Sequence, residues 1–269
     1  MSIPTSKISG VPRTMLMTLR ARADEQANSQ PIIQDPLAVE WYQSLTWDEE
    51  LDKLYNSTSQ KSLAVRAYHY DNIASRHIAN SSQPIIVELG SGLSTRYYRI
   101  GQQVNNWFDL DLPPVIELRH QLETETEKHQ LIGCSVMDFS WMDSIPKVEP
   151  ENILFIAEGL LMYFDISEVE RLIEQMRFRF PGANLAMDVL NKIGQKLGKK
   201  RAEQMAELEA PFKWFTKKQE VATMGLSIIN ICRLYRDYRQ HWSLFVKLLS
   251  WLTPLGNIYL ILETKLDEI

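Results

Sequence analysis

The stretch IIVELGSG, residues 85–92, decides the fold of this 269-residue chain. Its first three residues, Ile85 to Val87, form a short β-branched run that stops at Glu88 and a glycine turn. A strand that runs directly into a glycine turn is typical of the first strand of a doubly wound α/β sheet, in which ligands bind beyond the carboxyl ends of the strands. The residues on either side decide whether the whole chain follows that pattern.

Short apolar runs alternate with helical segments after residue 92. The runs lie at Trp107 to Leu110, Leu131 to Val136, Ile153 to Ala157, Leu185 to Val189, Leu226 to Cys232 and Asn257 to Leu262. Helical segments separate them at Pro113 to Lys128, Ser167 to Phe180 and Thr216 to Met224. This alternation predicts a mainly parallel seven-stranded sheet with helices on both faces. The last connection is too short for a crossover, so the final strand is predicted to be antiparallel.

The region before residue 82 has a helical pattern instead. Apolar residues recur at helical spacing around Met15 to Ala23, Asp35 and Pro36 start a second helix, and a third runs from about Ser62 to Ala79. We expect residues 1–82 to form a helical cap within the same domain as a Rossmann-like core at 83–269, because 269 residues suit one large domain. A polar helical insertion is expected at about 191–215.

Composition excludes several classes of protein. The net charge of −5 argues against a nucleic-acid partner, which requires a basic face. The most apolar stretch, 243–262, is interrupted by polar residues and predicts no membrane span. Two cysteines, Cys134 and Cys232, lie in apolar surroundings, which indicates buried thiols in a reducing compartment and no metal site. No signal peptide is recognised, so a cytoplasmic protein is expected.

The glycine turn favours one cofactor class over another. A dinucleotide fingerprint needs a third glycine at the position of Thr95. Glu88, directly before the glycines, would repel a pyrophosphate but suits a cofactor with an ammonium and a sulfonium. Glu88 and the missing third glycine therefore favour S-adenosylmethionine over NAD at Gly90 and Gly92, although two glycines alone also fit a tight turn without a ligand.

Three further carboxylates follow the predicted strands. Asp111 closes the second strand, where it would accept hydrogen bonds from a ribose, and Asp138 follows the third, with Phe139 able to pack on an adenine. Glu158 follows Ile-Leu-Phe-Ile-Ala, where burial of an unpaired charge is costly. Helix caps are the alternatives for Asp111 and Asp138. A Mg²⁺ or Ca²⁺ site is disfavoured because no D-x-D-x-D loop is present.

At this point several motifs together resemble a known family, the leucine carboxyl methyltransferase superfamily, and within it the branch of bacterial O-methyltransferases related to the tetracenomycin polyketide enzyme. The resemblance covers most of the chain. Its motifs are RT at 13–14, LRARA at 19–23, DPLA at 35–38, VELGSGLSTR at 87–96, DLDLP at 109–113, IAEGLLMY at 156–163 and APFKW at 210–214.

The resemblance implies a class I methyltransferase fold and S-adenosylmethionine as cofactor. It places two arginines, Arg22 and Arg66, on the cofactor carboxylate, with Arg20 as an alternative to Arg22. It further implies a set of contacts to the rest of the cofactor: Gly90 at the methionine part, Asp111 at the ribose, Asp138 and Phe139 at the adenine, and Glu158 at the amino group or ribose. Many members have Asp where this chain has Ser94, so a charged contact from that position is not expected.

Methyl transfer to an oxygen of a small molecule, for example a polyketide, is the function that these features favour. The alternatives are a carboxyl methyltransferase acting on a protein C-terminus and a protein that binds the cofactor without catalysis. No residue stands out as a general base, and the candidates are His69, His120, His241 and Tyr163. The side chains of Met15, Met17, Trp41, Tyr42 and Trp47 either line an apolar acceptor chamber or pack in the core.

Overall fold

A seven-stranded sheet organises the computed structural model, which describes residues 2–191, 199–214, 216, 218–251 and 256–269. Its strands lie in the order β3-β2-β1-β4-β5-β7-β6. The first five are parallel, and β7 runs antiparallel to both β5 and β6. The strands are β1 (Ile85–Leu89), β2 (Asn106–Asp111), β3 (His129–Gly133), β4 (Ile153–Ala157), β5 (Asn184–Leu190), β6 (Leu226–Arg233) and β7 (Tyr259–Leu266).

The central strands are apolar because both faces of the sheet are covered. Every residue of β1 and of β4 is buried, which explains why all of them except Glu88 are apolar. The strand order reverses between β1 and β4, and this reversal opens a crevice at the carboxyl ends of the two strands. The predicted seven-stranded sheet and its antiparallel last strand are confirmed.

Helices pack on both sides of the sheet and in front of its first loop. In the described residues they are α1 (Met15–Glu25), α2 (Pro36–Ser44), α3 (Ser57–Asn80), α4 (Pro113–Arg119), α5 (Ile166–Arg179), α6 (Lys199–Glu207), α7 (Lys218–Ala222), α8 (Leu234–Asp237) and α9 (Leu244–Leu249). Local sequence explains their starts. Asp35 accepts a hydrogen bond from Ala38 N at 3.1 Å and caps α2, and Asn56 caps α3 through a capping box.

The N-terminal helices share a hydrophobic cluster with the core. Leu16 and Leu19 of α1 belong to the same buried cluster as Leu93, which follows the glycine loop, and Val115 of α4. A cap with an independent core would not bury its residues against the sheet region in this way. The shared cluster favours the predicted single domain, and the division at residue 82 stays a prediction.

Several predicted boundaries are wrong. The third strand ends at Gly133 rather than Val136, because Ser135 starts a turn in which its Oγ accepts from Met137 N at 3.2 Å. Helix α4 ends at Arg119, well before Lys128. The last strand begins at Tyr259 and continues to Leu266.

The helix predicted to run from Thr216 to Met224 is shorter in the structure, where α7 spans Lys218–Ala222. The helix predicted from Ser62 starts earlier, at Ser57, because Asn56 supplies its cap. Part of the predicted insertion is helical, as α6, and residues 192–198 lie outside the described residues. Among the helices of the described residues, none has the length and apolar character needed to cross a membrane.

Candidate active site

A cavity of about 1030 Å³ lies beyond the carboxyl ends of β1, β2 and β4. Its walls come from four regions of the chain: the N-terminal segment and the start of α3, the glycine loop and the turn that follows it, the ends of the strands, and the C-terminal third. The strand ends supply the polar floor, and the helical segments cover it. A doubly wound sheet binds ligands at this position.

The glycine loop forms one edge of the cavity, and the turn itself requires its glycines. Gly90 has φ +64° and Gly92 has φ +53°, values that favour glycine. A Cβ at Gly90 would lie 2.6 Å from Leu160 Cδ1, and one at Gly92 would lie 2.9 Å from Met15 Cβ. Packing within the protein therefore explains both glycines. The assignment of the loop to a cofactor rests on its position, not on glycine alone.

Asp111 fixes this loop from the end of β2. Its Oδ2 accepts a hydrogen bond from Gly92 N at 2.7 Å, and its Oδ1 accepts one from Leu112 N at 2.7 Å. Burial raises the pKa of Asp111, while these two backbone donors oppose the rise. The carboxylate lines the cavity and retains further acceptor positions, which suit hydroxyl donors.

A continuous chain of ion pairs runs behind the cavity from α1 to β1. Arg22 donates from Nε to Asp35 Oδ2 at 2.8 Å, and Arg99 Nη1 reaches the same oxygen at 2.8 Å. Arg99 also donates to Asp71 Oδ2 at 2.7 Å. Asp71 connects to Arg96, whose Nε lies 2.8 Å from Asp71 Oδ1.

The chain continues from Arg96 to the other strands. Arg96 Nη1 contacts Glu88 Oε2 on β1, and its Nη2 lies 2.5 Å from Glu158 Oε2 after β4. Arg66 of α3 donates to Glu158 Oε1 at 2.8 Å and lies 3.8 Å from Asp188 on β5. Each glutamate of the cavity edge is thus held by at least one guanidinium.

Carboxylates outnumber arginines in this chain of ion pairs. Its four arginines are Arg22, Arg66, Arg96 and Arg99, and its five acids are Asp35, Asp71, Glu88, Glu158 and Asp188. With every one of these nine groups ionised, the chain of ion pairs carries one negative charge in excess. Buried charge is costly unless it is compensated, so a cationic ligand suits this edge of the cavity.

The two glutamates differ in their ionisation. Burial, together with the nearby charges of Asp109 and Glu158, raises the pKa of Glu88 to about 7, although the contact with Arg96 opposes the rise. Burial also opposes ionisation of Glu158, but Arg66 and Arg96 together lower the pKa of that carboxyl to about 2. Glu158 is therefore a permanent anion, whereas Glu88 carries a charge that depends on its surroundings near neutral pH.

Seven of the nine residues predicted to bind the cofactor line the cavity: Arg22, Arg66, Glu88, Gly90, Gly92, Asp111 and Glu158. Asp138 and Phe139 are not among the lining residues. Asp138 is exposed and accepts from Ser140 N at 3.2 Å as a helix cap, and Phe139 lies under Arg171, whose Cζ is 5.1 Å from the ring centroid. The early end of β3 places both residues past the cavity, and the segment 134–136 lines it instead. Their assignment to an adenine stays a prediction without support from this geometry.

Arg20 and Arg22, the two alternatives for the cofactor carboxylate, lie in different surroundings. Arg20 Nη1 lies 2.6 Å from Asp52, and its Cζ lies 4.2 Å from the Tyr55 ring centroid, away from the cavity. Arg22 is buried, lines the cavity and donates from Nη2 to Leu93 O at 2.6 Å. Of the two, Arg22 is the one that lines the cavity.

Ser94, the departure from the commoner family sequence, contacts Glu88. Its Oγ donates to Glu88 Oε1 at 3.2 Å and accepts from Arg96 N at 3.3 Å. An aspartate in this place would bring a third negative charge toward Glu88, and the hydroxyl instead donates a hydrogen bond to it.

Of the four candidate bases, only Tyr163 lines the cavity, where its ring lies 5.5 Å from that of Phe212. His69 Nε2 lies 3.0 Å from Cys232 Sγ on β6, His120 is exposed beside Glu125, and the ring of His241 is stacked on Tyr238. None of these three histidines is among the cavity residues.

The structure corrects the expectation that both cysteines are buried. Both thiols are half-buried, and Cys232 contacts His69. Burial lowers the pKa of His69 to about 4 and raises that of Cys232 above its usual range, so the contact joins a neutral imidazole to a protonated thiol. This arrangement does not activate the thiol.

Sequence reasoning missed most members of the ion-pair chain: Asp35 beyond its cap role, Asp71, Arg96, Arg99 and Asp188, together with Tyr259, which contacts Asp188. A usable signal existed for one of them. Asp188 interrupts the apolar run of β5, and the argument applied to Glu158 applies to it equally.

The parallel sheet, the glycine loop at the strand-order reversal and the strand-end carboxylates are the features of a class I methyltransferase. The chain belongs to the leucine carboxyl methyltransferase family, whose sequence model matches residues 13–177. The predicted family, fold and enzyme class are confirmed.

Individual relatives agree with this assignment. The chain is 29% identical over 188 residues to the tetracenomycin polyketide synthesis O-methyltransferase of Streptomyces glaucescens, an alignment that covers 69% of this chain and 68% of the relative. It is 27% identical over 195 residues to an S-adenosyl-L-methionine-dependent methyltransferase of Gibberella zeae, with 66% and 64% covered. Both descriptions agree with the predicted methyl-transfer chemistry, and the second also with the predicted methyl donor.

The fold also matches a solved structure. A putative methyltransferase from Thermobifida fusca superimposes with a TM-score of 0.63 at 15% identity, over 98% of this chain and 97% of the other. At this identity the match concerns the fold, including the helices before the sheet.

Proposed function

We propose that the protein transfers a methyl group from S-adenosylmethionine to an oxygen atom of a small, largely apolar molecule. The observation that carries the proposal is the surplus of buried carboxylate beside the glycine loop, where Glu88 and Glu158 face the cavity. A pyrophosphate would be repelled at this edge, whereas an ammonium and a sulfonium would be stabilised. The description of the Gibberella zeae relative supports the same cofactor.

The residues present fit the ribose and the methionine part of this cofactor. Asp111 has acceptor positions for ribose hydroxyls, and Glu158 is an anion beside the glycine loop for the amino group. Arg22 and Arg66 would contact the carboxylate, each while keeping a carboxylate partner of the protein. When bound, the cofactor supplies an electrophilic methyl group, and the residues of this chain hold it in place and exclude water.

The rest of the cavity suits an apolar acceptor. Its walls include Met17, Met162, Met205 and the neighbouring rings of Tyr163 and Phe212. Ligand sites for drug-sized molecules occupy about 300–1,000 Å³. A cavity of about 1030 Å³ therefore has room for the cofactor and a small acceptor together. The polyketide named in the description of the Streptomyces glaucescens relative is an acceptor of this kind.

The family description favours a second candidate, carboxyl methylation of a protein C-terminus. Such an acceptor requires a cation for its carboxylate. Within the described part of the chain, four arginines line the cavity, and neither lysine nor histidine does. Arg22 and Arg66 are assigned to the cofactor carboxylate, and Arg96 and Arg99 each already bind two or more carboxylates of the protein, which leaves no further cation for an acceptor carboxylate. The cavity chemistry thus supports the small-molecule acceptor more strongly.

Positioning accounts for much of the expected rate. Methyl transfer is an in-line displacement, so holding the acceptor oxygen close to the methyl group and aligned with it lowers the barrier without a chemical group from the protein. A general base would be needed for an alcohol or phenol but not for a carboxylate. Tyr163 is the one residue from the predicted base candidates placed to contact an acceptor.

Calorimetry tests the cofactor and separates it from NAD. We expect S-adenosylmethionine to bind with micromolar affinity and NADH not to bind. Binding of NADH without S-adenosylmethionine would overturn the proposal. Transfer of a labelled methyl group is then measured with a panel of phenolic and carboxylic aromatic compounds and with peptides bearing a free C-terminus. Labelling of the peptides alone would favour the second candidate, and cofactor binding without transfer to any acceptor would indicate a protein that binds without catalysis.

A further inference from the structure

Arg96 connects one helix and two strands of the fold. Its side chain is 2% exposed and extends from the turn after the glycine loop into the space between α3, β1 and β4. Each of its nitrogen groups contacts a different carboxylate: Nε meets Asp71, Nη1 meets Glu88 and Nη2 meets Glu158. A planar guanidinium can hold three acceptors in a fixed arrangement, which an ammonium cannot.

Glu88 depends on Arg96 more than Glu158 does. Arg66 is a second cation on Glu158, at 2.8 Å. For Glu88, the contacts from the surrounding elements are Arg96 and the Ser94 hydroxyl, while Asp109 on β2 and Glu158 after β4 face it as like charges. Arg96 is the single cation in contact with Glu88 among the described residues.

We infer that Arg96 is a positioning residue that fixes the carboxylates of Glu88 and Glu158 side by side at the edge of the cavity and keeps Glu88 in its ionised form for a cationic methyl donor. The inference rests on the proposed function. It goes beyond it because it makes Arg96, which acts through Glu88 and Glu158, responsible for the position and charge of the carboxylates beside the cofactor. Asp71 completes the arrangement by holding the third donor group of Arg96 on α3.

The consequence is a defined pH dependence of cofactor binding. Glu88 has a pKa of about 7, so its ionised fraction falls as the pH falls through that value. Binding of a cation that needs the Glu88 carboxylate is then strong at higher pH and weakens below about pH 7. Removing the Arg96 charge leaves Glu88 buried near Asp109 and Glu158 without a cation, which moves the midpoint of this loss upward.

The test is the dissociation constant of S-adenosylmethionine, measured by calorimetry between pH 5.5 and 9 for the full chain and its variants. In Arg96→Met we expect the midpoint to rise by about one pH unit or more, since loss of an adjacent opposite charge shifts a carboxyl by 1–3 units. In Glu88→Gln the dependence that belongs to Glu88 is expected to disappear. The cofactor has its own ionising groups, but they are the same in every titration and cancel in the comparison.

Two further variants separate positioning from general support of the fold. Arg96→Lys keeps a charge but not the planar geometry, so its midpoint should remain close to that of the unchanged protein while its affinity falls by about tenfold. Arg99→Met is the matched control. Arg99 lies one turn further along, has a side chain that is 7% exposed against 2% for Arg96, and shares Asp71 with Arg96, but it contacts neither glutamate. It should lose folding stability without moving the midpoint.

The outcomes are distinguishable. An unmoved midpoint in Arg96→Met, or equal shifts in Arg96→Met and Arg99→Met, overturns the inference and leaves the proposed function intact. Absence of S-adenosylmethionine binding by the unchanged protein at every pH overturns both. If Arg96→Met does not fold, Arg96→Lys decides: full affinity in that variant contradicts a role for the three-way geometry.

Discussion

The carboxylate of Asp111 holds the backbone of Gly92, which donates its N–H to Asp111 Oδ2 at 2.7 Å. One residue at the end of β2 thus sets the shape of the loop that ends β1. The same carboxylate lines the cavity, so it connects the conformation of the loop to any ligand bound there.

Replacement of Asp111 should therefore weaken cofactor binding in two ways. Asp111→Ala removes the support of Gly92 N and the acceptor for a ribose. Hydrogen bonds to charged groups contribute about 1.5–3 kcal/mol, so we expect the dissociation constant of S-adenosylmethionine to rise by about 10- to 100-fold. Asp143→Ala, at an exposed carboxylate paired with Arg179, is the control for removal of an aspartate. Equal affinities of the two variants would contradict the assignment.

Asp138 distinguishes the interpretation of the sequence from that of the structure. The strand-end pattern predicts an adenine contact, whereas the structure shows an exposed cap of the turn at Phe139–Ser144. From the structure we expect Asp138→Ala to leave the dissociation constant of S-adenosylmethionine within about twofold, because an exposed cap contributes to local stability and not to binding. A tenfold loss in the same calorimetric titration would restore the earlier assignment.

Gly90 should not tolerate a side chain. The Gly90→Ala substitution places an L-residue at φ +64°, which costs about 1–2 kcal/mol, and brings its Cβ to 2.6 Å from Leu160 Cδ1. We expect a loss of at least this free energy of unfolding in urea titrations. Gly133→Ala is the matched control, because its Cβ would meet its nearest neighbours at 3.7 Å with no positive φ. Comparable losses in the two variants would show that the loop conformation is not the cause.

His69 should make the protein less stable in mild acid. Burial lowers the pKa of His69 to about 4 from 6.5, so the unfolded chain binds more protons between pH 4 and 6.5. The free energy of unfolding contributed by this group is complete above pH 6.5 and is lost as the pH falls to 4. Because the ring is half-buried, we expect the loss to be about 1–2 kcal/mol rather than the full value of the shift.

Comparison with His69→Gln isolates this contribution, since the other acidic groups titrate in both proteins. The difference in free energy of unfolding between the two should shrink from pH 6.5 to pH 4. His120→Gln, at an exposed side chain, reports the effect of the same substitution outside the Cys232 contact. A difference that does not change with pH would show that His69 is not held neutral by the fold.

The sequence is sufficient for features that depend on neighbours along the chain. The run Ile153 to Ala157 is the fourth strand to the residue, because five buried apolar residues between polar ones leave little choice of boundary. The glycine turn at Gly90 and Gly92 and the position of Asp111 at the end of β2 could be predicted for the same reason, because both depend on residues that are adjacent in sequence. The predicted end of β3 is wrong because Cys134 and Val136 are as apolar as strand residues, whereas the side chain of Ser135 forms the turn that ends the strand.

The ion-pair chain could not be predicted because its members are distant in sequence. Arg96 and Glu158 lie 62 residues apart, and Arg66 and Glu158 lie 92 apart. Local patterns show that a buried charge needs a partner but not which residue supplies it. The resemblance to a family identified Arg22 and Arg66 at the cavity, and the structure adds that both are bound by carboxylates of the protein itself.

The antiparallel last strand has a consequence for biosynthesis. Tyr259, the first residue of β7, pairs with Leu190 of β5, contacts Asp188 and accepts from Arg66 Nη1 at 3.2 Å across 193 residues of sequence. A nascent chain that has left the ribosome only as far as β5 has the glycine loop and every strand-end carboxylate, yet lacks this partner. Arg66 and Asp188 then acquire their final surroundings only once β7 is inserted. The binding pocket is therefore complete only after β7 has been synthesised, and shorter chains have no finished site in which to hold a reactive methyl donor.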